Sequence, residues 1–260
     1  MSDAIKLSRR AFLVRGSATG AGLLLGFHLP ARRKLAAAPL ADAEAGQAAE
    51  VNAWIEIHTD NHVLIRDARS EMGQGIFTAL PMLVAEELDC DWSKVTAEYA
   101  SASENLRRDN VYRSMSTGGS RSVRGSQDYL RMAGAVAREL LVTAAAARWK
   151  VPAEDCQAAN SVITHVPSGR TLDFGAVAAA AAQLDAPEMV FLKEPEEWRL
   201  LGTPVKRLDV PDKIAGKPVF GTDVNIPGML HAAIRACPVF GGKLQRYDAA
   251  AIEKRPGVVQ

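Results

Sequence analysis

Residues 71–80, Glu71-Met72-Gly73-Gln74-Gly75-Ile76-Phe77-Thr78-Ala79-Leu80, set two glycines around a glutamine immediately ahead of a helical pattern. From Gly75 to Leu88 the apolar residues Ile76, Leu80, Leu83, Val84 and Leu88 recur at helical spacing, and Pro81 is read as lying near the first turn. A second glycine-rich turn, Ser116-Thr117-Gly118-Gly119-Ser120-Arg121-Ser122-Val123-Arg124-Gly125, also runs into a helix. That helix is predicted to open near Ser120 and to continue through Tyr129, Leu130, Val136 and Leu141 to about Trp149, ahead of Pro152. A helix start leaves backbone N–H groups without internal partners and carries partial positive charge, so it favours anions. Glycine lets a phosphate approach the backbone, and hydroxyls of Thr78, Ser120 and Ser122 can add hydrogen bonds. Either turn alone is ordinary capping chemistry. GQGIFT lacks the Gly-Lys-Ser/Thr of a Walker loop and the third glycine of a dinucleotide fingerprint.

Outward from these turns the chain alternates strand and helix patterns. Val51 to His58 alternates apolar Val51, Ala53, Ile55 and Ile57 with Asn52, Trp54, Glu56 and His58, and Asp60-Asn61 turns it into Val63-Leu64-Ile65. A strand is predicted at Val95–Tyr99, then a polar loop over 101–117. Asn160–Val166 and Arg170–Leu172 read as a hairpin, followed by an Ala-rich helix over 174–184. The fold class expected is α+β.

The composition excludes several classes. Thirty-one Lys and Arg against 30 Asp and Glu, net charge +1, give no general field for nucleic acid or an anionic membrane. Cys90, Cys156 and Cys237 are far apart, with no CxxC pair, and read as buried thiols rather than zinc or iron–sulfur ligands. No histidine pair has metal-site spacing, and Glu86 and Glu87 read as surface groups, solvated or paired. No catalytic residue or metal ligand is assigned. At the N-terminus, Arg9-Arg10 precede Phe12-Leu13 and a weakly apolar, glycine-containing run to Leu29, which resembles a twin-arginine export signal. That run is shorter than the roughly 20 residues a membrane-spanning helix needs, so no transmembrane segment is expected. The export route implies a periplasmic protein that folds, with its cofactor, before it crosses the membrane.

Taken together, residues 71–92 (EMGQGIFTALPMLVAEELDCDW) and 116–126 (STGGSRSVRGS) resemble the cofactor-clasping segments of the molybdenum hydroxylase large subunit, in the xanthine dehydrogenase and aldehyde oxidase family. Thr203–Asp209, Lys213–Lys217, Phe220–Val224 and Pro227–Ala232 resemble the opening of that family's α/β hammerhead domain. The order, with a cofactor-binding segment ahead of the hammerhead, is similar to the isoquinoline 1-oxidoreductase beta-subunit and aldehyde dehydrogenase type. The expected domains are a signal peptide over 1–38, a linker over 39–50, a molybdopterin-binding segment over 51–202 and the start of the hammerhead over 203–260.

The resemblance implies a molybdopterin cytosine dinucleotide with molybdenum. Gly73, Gln74 and Gly75 would meet the pterin, Gln74 donating from its amide, and Gly118, Gly119, Ser120 and Ser122 would receive the phosphates. The two segments are expected to face one cleft. The implied reaction hydroxylates an aldehyde or N-heterocycle, a small-molecule substrate, with oxygen from water. The electrons would leave through iron–sulfur clusters on a separate small subunit. The family's catalytic glutamate and further molybdopterin domains belong to a C-terminal part beyond this pattern, so the chain reads as an N-terminal fragment, with exposed apolar surface expected. The alternative is a non-catalytic cofactor-binding or assembly module. A C-terminal part encoded in frame or as a second chain separates the two.

Overall fold

The structure, a computed structural model, describes residues 48–259. The twin-arginine stretch, the signal peptide and most of the linker lie outside the described residues. The chain divides into two units, 1–216 and 217–260.

In the first unit, strands β1 (Ala48–Asn52), β2 (Ile55–His58), β3 (Val63–Asp67) and β4 (Val95–Tyr99) form one sheet in sequence order. The first two pairings are antiparallel, and β3–β4 is parallel, with Val63 opposite Val95 and Asp67 opposite Tyr99. The alternation over 51–58 predicted one strand. Instead the chain turns at Ala53-Trp54, with a register shift between Glu50 and Asn52, and Trp54 is buried against the rings of Tyr112 and Tyr129. Burial of that large indole decides against the extended reading.

Helix α1 (Ile76–Leu88) makes the crossover from β3 to β4, and α2 (Ala102–Arg107) is a short helix inside the segment expected as loop. Pro81 sits at the sixth position of α1, in its second turn rather than its first. The helix ends where Asp89 turns left-handed (φ 59), a conformation a short polar side chain tolerates. Helix α3 (Gln127–Trp149) begins seven residues later than predicted, because two successive turns occupy 119–126. It packs along α1 through small residues. An ideal Cβ on Gly134 would lie 2.4 Å from the Val84 carbonyl oxygen, so the helix backbones nearly touch. Ile55, Ile57, Val63 and Ile65 from the sheet close the core with Leu80, Val84, Leu88, Leu130 and Leu141.

A second, antiparallel sheet holds β5 (Cys156–Ala159), β6 (Val162–His165) and β7 (Arg170–Asp173). The sequence reading saw only its last two strands. The Ala-rich helix expected over 174–184 contracts to α4 (Ala178–Ala181) after a 3₁₀ turn. Asn61, at the β2–β3 turn, joins the sheets: its amide donates to Ser161 O and accepts from Gly175 N.

From Met189 onward large apolar side chains are exposed, among them Phe191, Ile214, Ile234 and Phe240. Within 203–259 the structure holds two short helices, α5 (Val210–Ile214) and α6 (Ala249–Glu253), and no strand among the described residues. Cys156 is buried and Cys90 half-buried, but Cys237 is exposed, against the expectation for all three. No helix among the described residues is long and apolar enough to cross a membrane.

Candidate cofactor site

The two glycine-rich turns meet for a topological reason. β3 and β4 run parallel, so their carboxyl ends reach the same edge of the sheet, and ligand sites form at such ends. The first loop leaves β3 at Asp67 and the second lies beyond β4. Hydrogen bonds stitch them together at their stems. Ser70 N donates to Thr117 Oγ1 (2.8 Å), and the buried Arg69 donates to Ser116 O and, through Nε, to Ser126 Oγ (3.2 Å).

In the first loop Gly73 (φ +103) and Gly75 (φ +86) take left-handed conformations that side-chain-bearing residues rarely adopt. Gly75 is the N-cap of α1, and Thr78 N and Ala79 N donate to its carbonyl (3.2 and 3.0 Å). The Glu71 carboxylate accepts from Gly73 N (2.7 Å), Gly75 N (3.0 Å) and Phe77 N (3.1 Å) and pairs with Arg207 Nη2 at 3.1 Å. Burial pushes the Glu71 carboxyl up, but the three N–H donors and the Arg207 charge outweigh it and hold it below the usual range. This end of α1 therefore already holds its anion. Gln74 folds back on the loop: Oε1 accepts from Met72 N (2.5 Å) and Nε2 donates to Ser70 O (3.0 Å). An amide NH2 has two hydrogens, so one donor of Gln74 remains beyond the Ser70 bond. Thr78 is turned away. Its hydroxyl is buried and accepts from Leu208 N (2.9 Å).

The second loop is more open. Gly118 and Gly119 are exposed, and an ideal Cβ on Gly118 meets nothing within 4 Å. Gly119 (φ +59) and Ser120 (φ +53) are both left-handed, which turns the chain sharply before Ser122. Arg124 donates to Gly119 O (3.2 Å), and Arg113 lies 5.0 Å over the Tyr129 ring. Among the described residues Arg113, Arg121 and Arg124 have no carboxylate partner. The positive charge here comes from these side chains. The α3 N-terminus contributes little, since it begins only at Gln127.

A profile of the molybdopterin cofactor-binding domain family matches residues 16–213, well over half of the sequence. The chain belongs to that family. Molybdopterin is the cofactor that this family of domains binds. Among individual relatives, the beta subunit of isoquinoline 1-oxidoreductase from Brevundimonas diminuta is 33% identical over 98% of this chain and 37% of its own length. The membrane-bound aldehyde dehydrogenase [pyrroloquinoline-quinone] of Gluconacetobacter polyoxogenes is 34% identical over 98% of this chain and 32% of its own. The crystal structure of quinoline 2-oxidoreductase from Pseudomonas putida 86 aligns with a TM-score of 0.37 and 20% identity, over 48% of this chain and 15% of that one. The chain spans about a third of the length of the curated relatives it matches.

Sequence reasoning missed Asp67, Arg69, Glu71 and Arg207. Glu71 stood inside the opening motif, and its signal was a carboxylate just ahead of a glycine-capped helix. Asp67 is buried at the end of β3, with Oδ1 accepting from Arg69 N (2.7 Å) and Oδ2 unpartnered within the described residues. Burial raises its pKa from 3.8 to about 7, against the pull of the Arg69 amide and charge. A carboxyl raised on folding contributes its stability below its unfolded pKa and loses it as pH rises through the folded value. Stability should therefore fall between pH 4 and pH 7, and Asp67→Asn should flatten that slope in urea titrations at stepped pH.

Proposed function

We propose that this chain supplies the molybdopterin-binding part of an oxidoreductase that hydroxylates an aldehyde or an N-heterocycle with oxygen from water. Its electrons would pass to iron–sulfur clusters on a separate small subunit. The observation that carries the reading is the pair of glycine loops hydrogen-bonded side by side at the carboxyl edge of β3–β4. The cofactor, when bound, supplies the redox chemistry; the residues here bind and orient it.

The loops differ in what they can accept. In the first, Glu71 takes the amides of Gly73, Gly75 and Phe77 and would repel a phosphate, so a neutral pterin edge suits Gly73–Gly75, with the second Nε2 hydrogen of Gln74 as its donor. In the second, open glycine backbone and three arginines without carboxylate partners suit phosphates at Gly118–Ser122. That division suits a dinucleotide form lying across both loops, and the cytosine dinucleotide is the one that the family resemblance implies. Thr78 drops out of the contact set, since its hydroxyl serves Leu208. Export in the folded state to the periplasm, signalled by Arg9-Arg10, fits a protein that acquires such a cofactor before it crosses the membrane. The hammerhead assignment of 203–260 stays with the resemblance of its motifs.

The test is molybdenum and pterin per folded protein in the complete two-subunit assembly. Gly119→Val puts a β-branched residue at φ +59 and should abolish most cofactor retention. Ser120→Ala removes one hydroxyl, keeps the backbone donors, and should weaken the site by about 1 kcal/mol. Full occupancy in Gly119→Val refutes the phosphate role.

A further inference from the structure

The segment 191–209 runs along α1 from its C-terminal end to its N-terminal end and is fastened at both. At the C-terminal end Lys193 Nζ lies 3.2 Å from Glu86 Oε1 and 2.6 Å from Asp89 Oδ1, and Lys193 N donates to Glu87 Oε2 (3.1 Å). The backbone N–H groups of Arg199, Leu200 and Leu201 all donate to the Glu86 carboxylate. In the first turn of α1, Leu208 N donates to Thr78 Oγ1. At the N-terminal end Arg207 spreads its guanidinium over three acceptors: Gly73 O through Nη1 (3.2 Å), Glu71 Oε1 through Nη2 (3.1 Å), and the Asp209 carboxylate through Nε and Nη2 (2.9 and 2.7 Å). Lys213 Nζ also holds Asp209, 2.6 Å from the Oδ2 that Arg207 Nη2 meets.

We infer that Arg207 is a positioning residue: it fixes the left-handed Gly73–Gly75 loop from outside, through a strap that the buried glutamates of α1 anchor. The inference rests on the reading above that this loop takes the pterin end of the cofactor. Gly73 and Gly75 have no side chains to lock their own dihedrals, so external hydrogen bonds decide how long the loop dwells in one conformation. Glu71 holds the loop from inside through three amides, and Arg207 holds both that carboxylate and the Gly73 carbonyl. The guanidinium reaches Gly73 O and the two carboxylates through separate nitrogens of a rigid planar fork, whereas a lysine ammonium must make every contact from one nitrogen. The polar partners of Arg207 are Gly73, Glu71 and Asp209, none of them on β3, and Asp209 keeps Lys213 when the arginine is gone. Its removal therefore loosens the loop without unseating the strap.

Amide hydrogen exchange on the full chain, comparing wild type, Arg207→Gln and Arg207→Lys, tests this. In Arg207→Gln the amides of Gly73, Gly75 and Phe77 should exchange on the order of tenfold faster, with α3 amides unchanged. Arg207→Lys, which keeps the charge on Glu71 but loses the fork, should rescue only part of that acceleration. Unchanged exchange at the three amides overturns the inference, as does uniform acceleration through α3. Molybdenum per folded chain in the complete assembly should fall in Arg207→Gln. Accelerated exchange at undiminished molybdenum leaves the positioning role standing and overturns the pterin reading of the loop instead.

Discussion

Glu86→Ala should destabilise the fold by about 3–5 kcal/mol, the range for breaking a buried, hydrogen-bonded charge by removing one partner. Glu86 is 2% exposed and its carboxylate accepts from three consecutive backbone N–H groups, Arg199, Leu200 and Leu201, besides Lys193. Alanine strands those donors, while Lys193 retains Asp89. Urea unfolding read by far-UV circular dichroism measures the loss. Glu86→Gln, which keeps an oxygen for the backbone donors, should lose roughly half as much. The pH dependence carries the same signature. Burial opposes ionisation of Glu86, but the three amides and Lys193 prevail and hold its pKa below 4.5. Its contribution is full above that ordinary value and disappears as the pH falls through the depressed one. Wild type should lose stability in that acid window, and Glu86→Gln should lose less. An alanine variant within about 1 kcal/mol of wild type would mean that the strap is not held by this carboxylate.

Gly134→Val should destabilise by about 3 kcal/mol or more, at the upper end of overpacking costs. On an exposed helix surface, replacing glycine by alanine stabilises by up to about 1 kcal/mol. Here even the first added carbon meets the Val84 carbonyl oxygen at 2.4 Å, Glu87 Cβ at 2.9 Å and Leu88 N at 3.2 Å. Two of those three atoms are backbone and have no rotamer in which to retreat, so α1 and α3 must separate along their contact. Thermal unfolding of Gly134→Ala and Gly134→Val gives the sign. A stabilised alanine variant would show that the helices pack farther apart than this.

What could be read from the sequence was what depends on local period. The 3.6-residue spacing placed α1 and the body of α3, alternation marked the β1–β2 stretch, and turn residues set off β3 and the β6–β7 pair. Alternation carries no sign of direction, so the parallel pairing of β3 with β4, which sets the two loops side by side, could not be deduced from it. The start of α3 was misplaced because Gly118-Gly119-Ser120 has cap chemistry but is followed by another turn, and only Ser126 ends it. Glu86 and Glu87 read as surface groups because nothing near them in sequence buries them. Their partners lie at 131, 193 and 199–201, between 44 and 115 residues away. Distance in sequence also hid Arg207, which no local pattern distinguishes from any exposed arginine. Thr78 was chosen for its hydroxyl and its place in the first turn, and the strap takes that hydroxyl. The motif resemblance identified the family; the charges that divide the two loops came only with the coordinates.

The strap also sets an order of events during synthesis. A chain made from its N-terminus completes the sheet, α1 and α3 while 193–209 is still unmade. Until then Glu86 lies without its later partners on α1, and Glu87 is held only by Arg131 and Arg138 of α3; these charges keep the nascent face hydrated where apolar residues would invite association. Arrival of Lys193 and the 199–201 amides covers them, and only afterwards can Arg207 reach Gly73. The Gly73–Gly75 loop thus gains its Arg207 contacts only once 193–209 has been made, after the core beneath it is complete.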